Sequence, residues 1–361
     1  MTSTERPSVP SRTPHRTRLA AATALAAATA ALASLGAPTA LAAPGGAHAA
    51  APHPYPHATR PAAARIGTAF TLPDSRAYPE GIAADARTGA VYVGSYTNGA
   101  VYRAIPGRDA AEVFLPAGTD GRHTANGLKV DGHGRLWVTD STTGVAVYDV
   151  RTRHLLARFD LPAGGTPRFV NDIALTPDGT AYLTDSMRGV LYRVTPADLA
   201  HARAHGGRAL LTGRFDLTAQ LPQQPPGTVT LNGIVADPAG RYLLTVDMTG
   251  GGLYRVDLTT GAVRRVALTG GDLTHADGLD LHHGVLRVAH NTTNTLSRWQ
   301  LGHDGTTARL VRTVTDPSLQ IPTTLVHTGH RTLVVRSQFD KGGPMGPGTP
   351  GPFTVAEVRH F

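Results

Sequence analysis

The chain has 361 residues, a formal net charge of +8 and no cysteine, so disulfides, thiolate metal sites and cysteine nucleophiles are excluded. Residues 1–18 hold Arg6, Arg12, Arg16 and Arg18 against Glu5, which is +3 of that charge and leaves the remainder nearer +5. The other arginines are scattered, often in YRV or YRA phrases (Arg103, Arg193, Arg255), a solvated-face pattern that argues against a nucleic-acid partner.

In chain order, the basic start is followed by an Ala/Leu run from Leu19 to about Gly36 and by the small-x-small step Ala40-Leu41-Ala42. This is the layout of a secretory signal peptide over 1–42. The competing reading is a transmembrane anchor, for which the Ala-rich run is short and weakly apolar. A secreted, extracellular protein is expected, with no stable membrane insertion after cleavage. Residues 43–63 are rich in Ala, Pro, Gly and His without periodicity and read as a disordered linker.

From residue 64 onward one phrase recurs: PEGIAAD with Glu80, ANGLKVD with Asn126, VNDIALTPDG with Asn171, LNGIVADPAG with Asn232 and ADGLDLHHG with Asp277. A degenerate sixth copy, PTTLVHTGH, puts Thr323 at the same place. The steps between these residues are 46, 45, 61, 45 and 46. A period near 45 built of strand-like pieces predicts propeller blades. The third copy is clearest: IALT, the turn Thr176-Pro177-Asp178-Gly179, the strand TAYLTDS, a turn at Met187-Arg188-Gly189, then VLYRV. Outer strands follow as AEVFLP, LARFDLP, RRVALTG and RLVRTVT, and one short helix is expected near Pro196–Ala204.

The last copy lacks an outer strand because the chain ends at Phe361, while a spare strand, GTAFTLPD, stands before the first. Pairing the two would close the ring. The predicted fold over 64–361 is therefore all-β: a six-bladed β-propeller of four-stranded antiparallel blades, closed by an N-terminal strand in the last blade. A monomer is expected.

Such a ring carries Glu80, Asn126, Asn171, Asn232, Asp277 and Thr323 to one axis. Carboxylates and amide oxygens suit a hard cation such as Ca2+. Asn-Gly and Asp-Gly pairs (Asn126-Gly127, Asn232-Gly233, Asp277-Gly278) are also ordinary turn chemistry, so that reading stays open. Loops after the second strands lie on the same face, and residues 337–352, SQFDKGGPMGPGTPGP, form a long Gly/Pro insertion there. Trp137 and Trp299 read as packing between blades, and Asp140, Asp185 and Asp247 as turn caps.

These phrases, in this order and spacing, resemble the SMP-30/gluconolactonase group of six-bladed propellers, which has luciferin-regenerating-enzyme-like members and is related to diisopropylfluorophosphatase and the paraoxonases. The resemblance covers about Gly67–Phe361. It implies that Glu80, Asn171, Asn232 and Asp277 bind a catalytic Ca2+ or another divalent cation such as Mn2+ or Zn2+. It further implies an Arg near the third-blade Asn, for which Arg168 in TPRFVND stands close. Two departures show: the NDG-like start of blade 3 is NDI, and a paraoxonase-type His-His relay has no place. The TDS phrases also resemble strictosidine-synthase-like propellers, whose members often do different chemistry or lack a metal.

The expected function is metal-assisted hydrolysis of a small-molecule lactone or related ester, with Asp277 as general base or nucleophile. Asn126 and Arg168 are expected to contact substrate. The alternative is a secreted propeller that binds a small molecule or partner without turnover, around a structural Ca2+. With no H-x-H pair and no G-x-S-x-G elbow, a redox metal centre and a Ser-His-Asp hydrolase are poorer fits.

Overall fold

Short apolar runs broken by Pro, Asp and Gly become strands joined by tight turns. In the third blade Asp178 accepts the Thr180 N–H at 3.0 Å, and Gly179 takes φ 84°, so the turn reverses the chain within four residues. A computed structural model describes residues 62–165 and 167–361. The expected leader over 1–42 and all but the end of the expected linker over 43–63 lie outside them. Among the described residues no helix is long and apolar enough to cross a membrane.

Six antiparallel sheets follow one another along the chain. Their innermost strands are Pro79–Ala84, Leu128–Val130, Val170–Leu175, Leu231–Ala236, Ala276–His282 and Leu325–Thr328. Six apolar clusters fill the six seams between successive sheets. Leu136, Val138 and Tyr148 of blade 2 pack against Tyr92 and Phe114 of blade 1, whereas Trp137, Val147 and Phe159 point the other way onto Ile173, Leu183 and Tyr192 of blade 3. Alternation along each strand thus feeds two cores at once, which is why both faces of every blade are apolar. Trp137 and Trp299 are each 1% exposed within such seams, as expected.

The four-strand expectation holds for four blades and is corrected for two. Arg208–Leu210 adds a fifth, parallel strand to the outside of blade 2, and Ala267–Thr269 does the same for blade 5. The run RRVALTG is not one outer strand: buried Val266 divides it, with Val263–Arg265 pairing in blade 4 and Ala267–Thr269 pairing in blade 5. An isolated parallel bridge, Thr71 with Ala110, joins the outer edges of blades 6 and 1 in the same manner. Three seams are therefore stapled at the rim, which occupies backbone groups that an open edge would expose.

The strand Arg65–Thr71 pairs antiparallel with the C-terminal strand Thr354–Arg359, from Arg65 opposite Arg359 to Thr71 opposite Thr354. Phe70 and Leu72 join one cluster with Tyr78, Val91 and Val93 of blade 1 and Leu333, Val335 and Phe353 of blade 6. The expected helix spans Pro196–Ala204. It starts at a reciprocal Thr195–Asp198 capping box and buries Leu199 and Ala202 in the blade 2–3 seam.

Candidate metal and substrate site

Each repeated phrase breaks the ladder at one place. Pairing of the first two strands slips between Pro79 and Ile82, Val170 and Ile173, Leu231 and Ile234, and Ala276 and Leu279. The residues inside these bulges are Glu80-Gly81, Asn171-Asp172, Asn232-Gly233 and Asp277-Gly278. A bulge re-aims the side chain it contains, so four blades turn an oxygen-bearing residue at the same height. All four are buried, with exposures of 8, 4, 4 and 5%.

The glycines after them do not serve turns, which corrects the turn-chemistry reading. Gly81, Gly127, Gly233 and Gly278 lie where neighbouring inner strands nearly touch. A Cβ on Gly81 would stand 1.7 Å from the Asn126 carbonyl oxygen, and one on Gly278 would stand 2.1 Å from Thr324 Oγ1. Gly127 donates its N–H to the Asn171 carbonyl at 2.9 Å, and Gly278 to that of Thr323 at 2.7 Å. Thr323 Oγ1 donates across to the Glu80 carbonyl at 2.8 Å, linking the last blade to the first.

Blade 3 has Asp172 where blades 1, 2, 4 and 5 have glycine and blade 6 has Thr324. Its carboxylate accepts the N–H of Ile173 at 2.8 Å and that of Ile234, on blade 4, at 3.2 Å. Sequence reading missed it, yet the signal was present: one acid in a column of four glycines and a threonine. Glu80, Asp172, Asn232 and Asp277 border a single small cavity together with Gly127, Gly278 and Thr324.

A second tier of residues, fourteen to sixteen positions further along and just past the second strands, holds the first. Asn126 donates Nδ2 to Ser141 Oγ at 2.7 Å, Asn171 to Ser186 Oγ at 3.0 Å, and Asn232 to Met248 Sδ at 3.2 Å. Asn291 donates Nδ2 to Asp277 Oδ2 at 2.9 Å. With their amide nitrogens so engaged, the Oδ1 atoms of Asn126 and Asn171 are buried without a hydrogen-bond partner among the described residues. Buried polar atoms are almost always satisfied, so two unpartnered carbonyl oxygens at one register of adjacent blades mark a place for a ligand; neither Asn126 nor Asn171 borders the cavity that Glu80, Asp172, Asn232 and Asp277 share.

Burial, reinforced by the charges of Asp277 and Asp172, holds the Glu80 carboxyl well above the usual carboxylate range. Burial pushes Asp277 up to about 7; the Asp172 charge adds to this, while hydrogen bonds from Asn291 and Asn232 oppose it. Asp172 is also raised by burial, offset by Lys129 and two backbone N–H groups. Two repelling carboxylates, Glu80 and Asp277, with neutral amide oxygens at the same register are of the donor type that a hard divalent cation takes. Among the described residues no group of three or more acidic, histidine or cysteine side chains is placed to hold a metal ion.

Arg168 does not border the cavity: its two Nη atoms donate to the carbonyls of Pro162 and Gly164 in its own loop. His290, buried near Asp277, has Nδ1 against the Thr274 carbonyl (2.9 Å) and Nε2 against Ser297 Oγ (2.7 Å), which makes it a strut. Asp140, Asp185 and Asp247 accept backbone N–H groups of their own turns and serve as caps.

No protein-family model and no curated protein matches the chain. Its fold does match solved structures. A gluconolactonase from Xanthomonas campestris shares 19% identity over 84% of this chain and 91% of its own, with a TM-score of 0.57. A luciferin-regenerating enzyme shares 13% over 82% and 95%, also with a TM-score of 0.57. The major Malassezia sympodialis allergen Mala s 1 shares 15% over 80% and 95%, with a TM-score of 0.58. At these identities the likeness is one of fold: a six-bladed propeller that this chain shares with a gluconolactonase and a luciferin-regenerating enzyme.

Proposed function

We propose that the protein is a secreted, divalent-metal-dependent hydrolase of lactones or related esters. The observation that carries this reading is the pair of unpartnered, buried amide oxygens, Asn126 Oδ1 and Asn171 Oδ1, at the same register of the repeat as the buried carboxyls of Glu80 and Asp277, which share one cavity. Glu80, Asn171, Asn232 and Asp277 would hold Ca2+, or alternatively Mn2+ or Zn2+. When bound, the cation supplies Lewis acidity for an ester carbonyl and for the oxyanion that develops from it.

The chain's own groups supply the rest. Asn291 fixes Asp277 through Oδ2, which leaves Oδ1 to meet a water. Asp277 takes one proton from that water as its oxygen bonds to the carbonyl carbon. The ring C–O bond then breaks, and the proton passes to the departing alkoxide oxygen. Glu80 would stay a ligand, the cation's charge offsetting the repulsion that Asp277 and Asp172 exert on its carboxylate. Asn126 contributes an oxygen beside the substrate. The fold neighbours that hydrolyse or regenerate small molecules support the reading, as does the leader-like sequence of 1–42.

Metal analysis of the purified protein, with turnover of lactones and aryl esters in Ca2+, Mn2+ or Zn2+ against a chelated control, tests it. Metal-dependent turnover is the expected result. Arg168's engagement with loop carbonyls favours one second reading, a propeller that captures a small molecule around a structural Ca2+. In that case Ca2+ raises only the melting temperature.

A further inference from the structure

Three aromatic side chains from three blades meet on the face that carries Glu80. Tyr96 follows the second strand of blade 1, Phe169 precedes the first strand of blade 3, and Phe339 begins the long blade 6 insertion. Tyr96 and Phe169 stack with centroids 6.4 Å apart and planes at 30°, and Tyr96 meets Phe339 at 5.3 Å. Blades 1 and 3 are not neighbours, so rings from both can touch only by reaching across the mouth of the ring. Ser95, just before Tyr96, pairs across the strands with Pro79, just before Glu80, so the wall stands on the side of blade 1 from which Glu80 enters the cavity.

Two long polar side chains next to this wall are largely engaged, Arg168 Nε alone lacking a partner among the described residues. Arg168 donates to the Pro162 and Gly164 carbonyls. Gln338 donates to the Gly351 and Pro352 carbonyls at 3.4 and 3.3 Å and accepts the Gly351 N–H at 2.8 Å, tying the two ends of the insertion together. Tyr78 clamps the insertion from below by donating to the Lys341 carbonyl at 2.9 Å. A polyhydroxylated ring needs hydrogen-bonding partners along its flank, and a flank made of aromatic faces discriminates against it. An apolar ring needs only a face to stack on.

We infer that Tyr96, Phe169 and Phe339 form a specificity subsite for the apolar, ring-bearing part of the substrate, so that the site prefers aryl-fused or aryl-substituted lactones over sugar lactones. This rests on the hydrolase reading above, and the experiment separates the two. With Ca2+ present, the full chain is assayed on dihydrocoumarin and on δ-gluconolactone. In parallel, calorimetry measures binding of 3,4-dihydroquinolin-2-one, the lactam counterpart of dihydrocoumarin, which needs no turnover.

The expected kcat/KM favours dihydrocoumarin by at least about tenfold. Phe169→Ser, whose backbone bonds to Asp185 and Ser186 remain possible, lowers that ratio about tenfold and weakens lactam binding to match. Tyr96→Leu, an independent variant should the first misfold, lowers the ratio likewise. A preference for the sugar lactone, or a ratio unmoved in both folded variants, overturns the subsite. If neither lactone turns over, the hydrolase reading fails and calorimetry alone decides the subsite: lactam binding that Phe169→Ser weakens upholds it, and absent or unaffected binding overturns it.

Discussion

Asn291 holds Asp277 by a single hydrogen bond, Nδ2 to Oδ2 at 2.9 Å, while its own Oδ1 accepts the Thr292 N–H at 2.6 Å. The amide thus connects the carboxylate to a rigid turn, and this fixes which oxygen faces the cavity. Asn291→Ala should weaken Ca2+ binding about 10–100-fold, the usual cost of removing a group that orients a ligand. Asn291→Asp should be worse, because it adds a fourth acid to Glu80, Asp172 and Asp277. Calcium titration calorimetry checks both; unchanged affinity in the two variants would show that Asn291 orients nothing.

Asp172 stands in a column that holds glycine in four other blades and raises the carboxyls of both Glu80 and Asp277 through its charge. Asp172→Asn keeps an acceptor for the Ile234 N–H and removes the repulsion. The chelated protein should then gain about 1–2 kcal/mol at pH 8, while Ca2+ affinity falls. Urea unfolding with and without Ca2+ reads both changes, and loss of stability in the chelated form would refute the repulsion argument.

A pH dependence follows from the same acids. Asp277 titrates near 7 in the folded chain against 3.8 for an ordinary aspartate, so between these values the folded state binds more protons than the unfolded one. Stability of the chelated protein is therefore fullest below about pH 4 as far as this group is concerned. It declines as pH rises towards 7, by up to about 4 kcal/mol at 1.36 kcal/mol per unit. Glu80 and Asp172 shift in the same direction. Saturating Ca2+ should flatten the decline, because a cation favours the charged forms. Unfolding free energies at pH 5 and 8 in chelator and in Ca2+ measure it; a chelated protein that gained stability across this interval through these groups would contradict the sign.

The sequence reached the blades because Pro, Asp and Gly punctuate them regularly, and it reached Glu80, Asn171, Asn232 and Asp277 because each sits at one register of a repeat. It did not reach the added outer strands. Arg208–Leu210 and Ala267–Thr269 are three residues each, and the second is continuous in sequence with a strand of another blade. Nor did it reach the supporting tier as a set: Ser141 and Ser186 share the TDS phrase, but Met248 and Asn291 fill the equivalent places with different chemistry. The Asn-Gly pairs were ambiguous in sequence because a glycine chosen for φ and a glycine chosen for clearance look alike. Arg168 lay at the right distance along the chain, and only the loop carbonyls around it show where its guanidinium points.

That clearance argument is itself testable. Gly81→Ala puts a methyl 1.7 Å from the Asn126 carbonyl oxygen, and Gly233→Ala puts one 2.3 Å from that of Asp277; both partners are backbone and cannot swing aside. Each change should cost more than about 3 kcal/mol or prevent folding. Gly132→Ala, with nothing within 4 Å of its Cβ and no left-handed φ, should be neutral or slightly stabilising. Thermal melts of the three variants decide the matter, and a well-folded Gly81→Ala protein would show that the inner strands are not in close contact.

The strand Arg65–Thr71 carries the last prediction. It is joined to the C-terminal strand by a ladder and to the blade 6 interior by Arg336, whose Nη1 donates to Thr68 Oγ1 at 2.9 Å and Thr354 Oγ1 at 3.1 Å and whose Nη2 donates to the Gly67 carbonyl at 3.3 Å. Phe70, 5% exposed, adds apolar surface to the one cluster shared by the first and last blades. Phe70→Ala should therefore cost about 3–4 kcal/mol, a typical value for truncating a buried aromatic. Val113→Ala, a smaller truncation on an outer strand at 45% exposure, should cost well under 1 kcal/mol. Removing residues 62–72 altogether strips the ladder as well and bares a strand edge at Thr354–Arg359, so this shortened chain should melt lower than Phe70→Ala and self-associate. If the shortened chain melts like the full-length protein and remains monodisperse by light scattering, the two ends of the chain do not hold the first and last blades together.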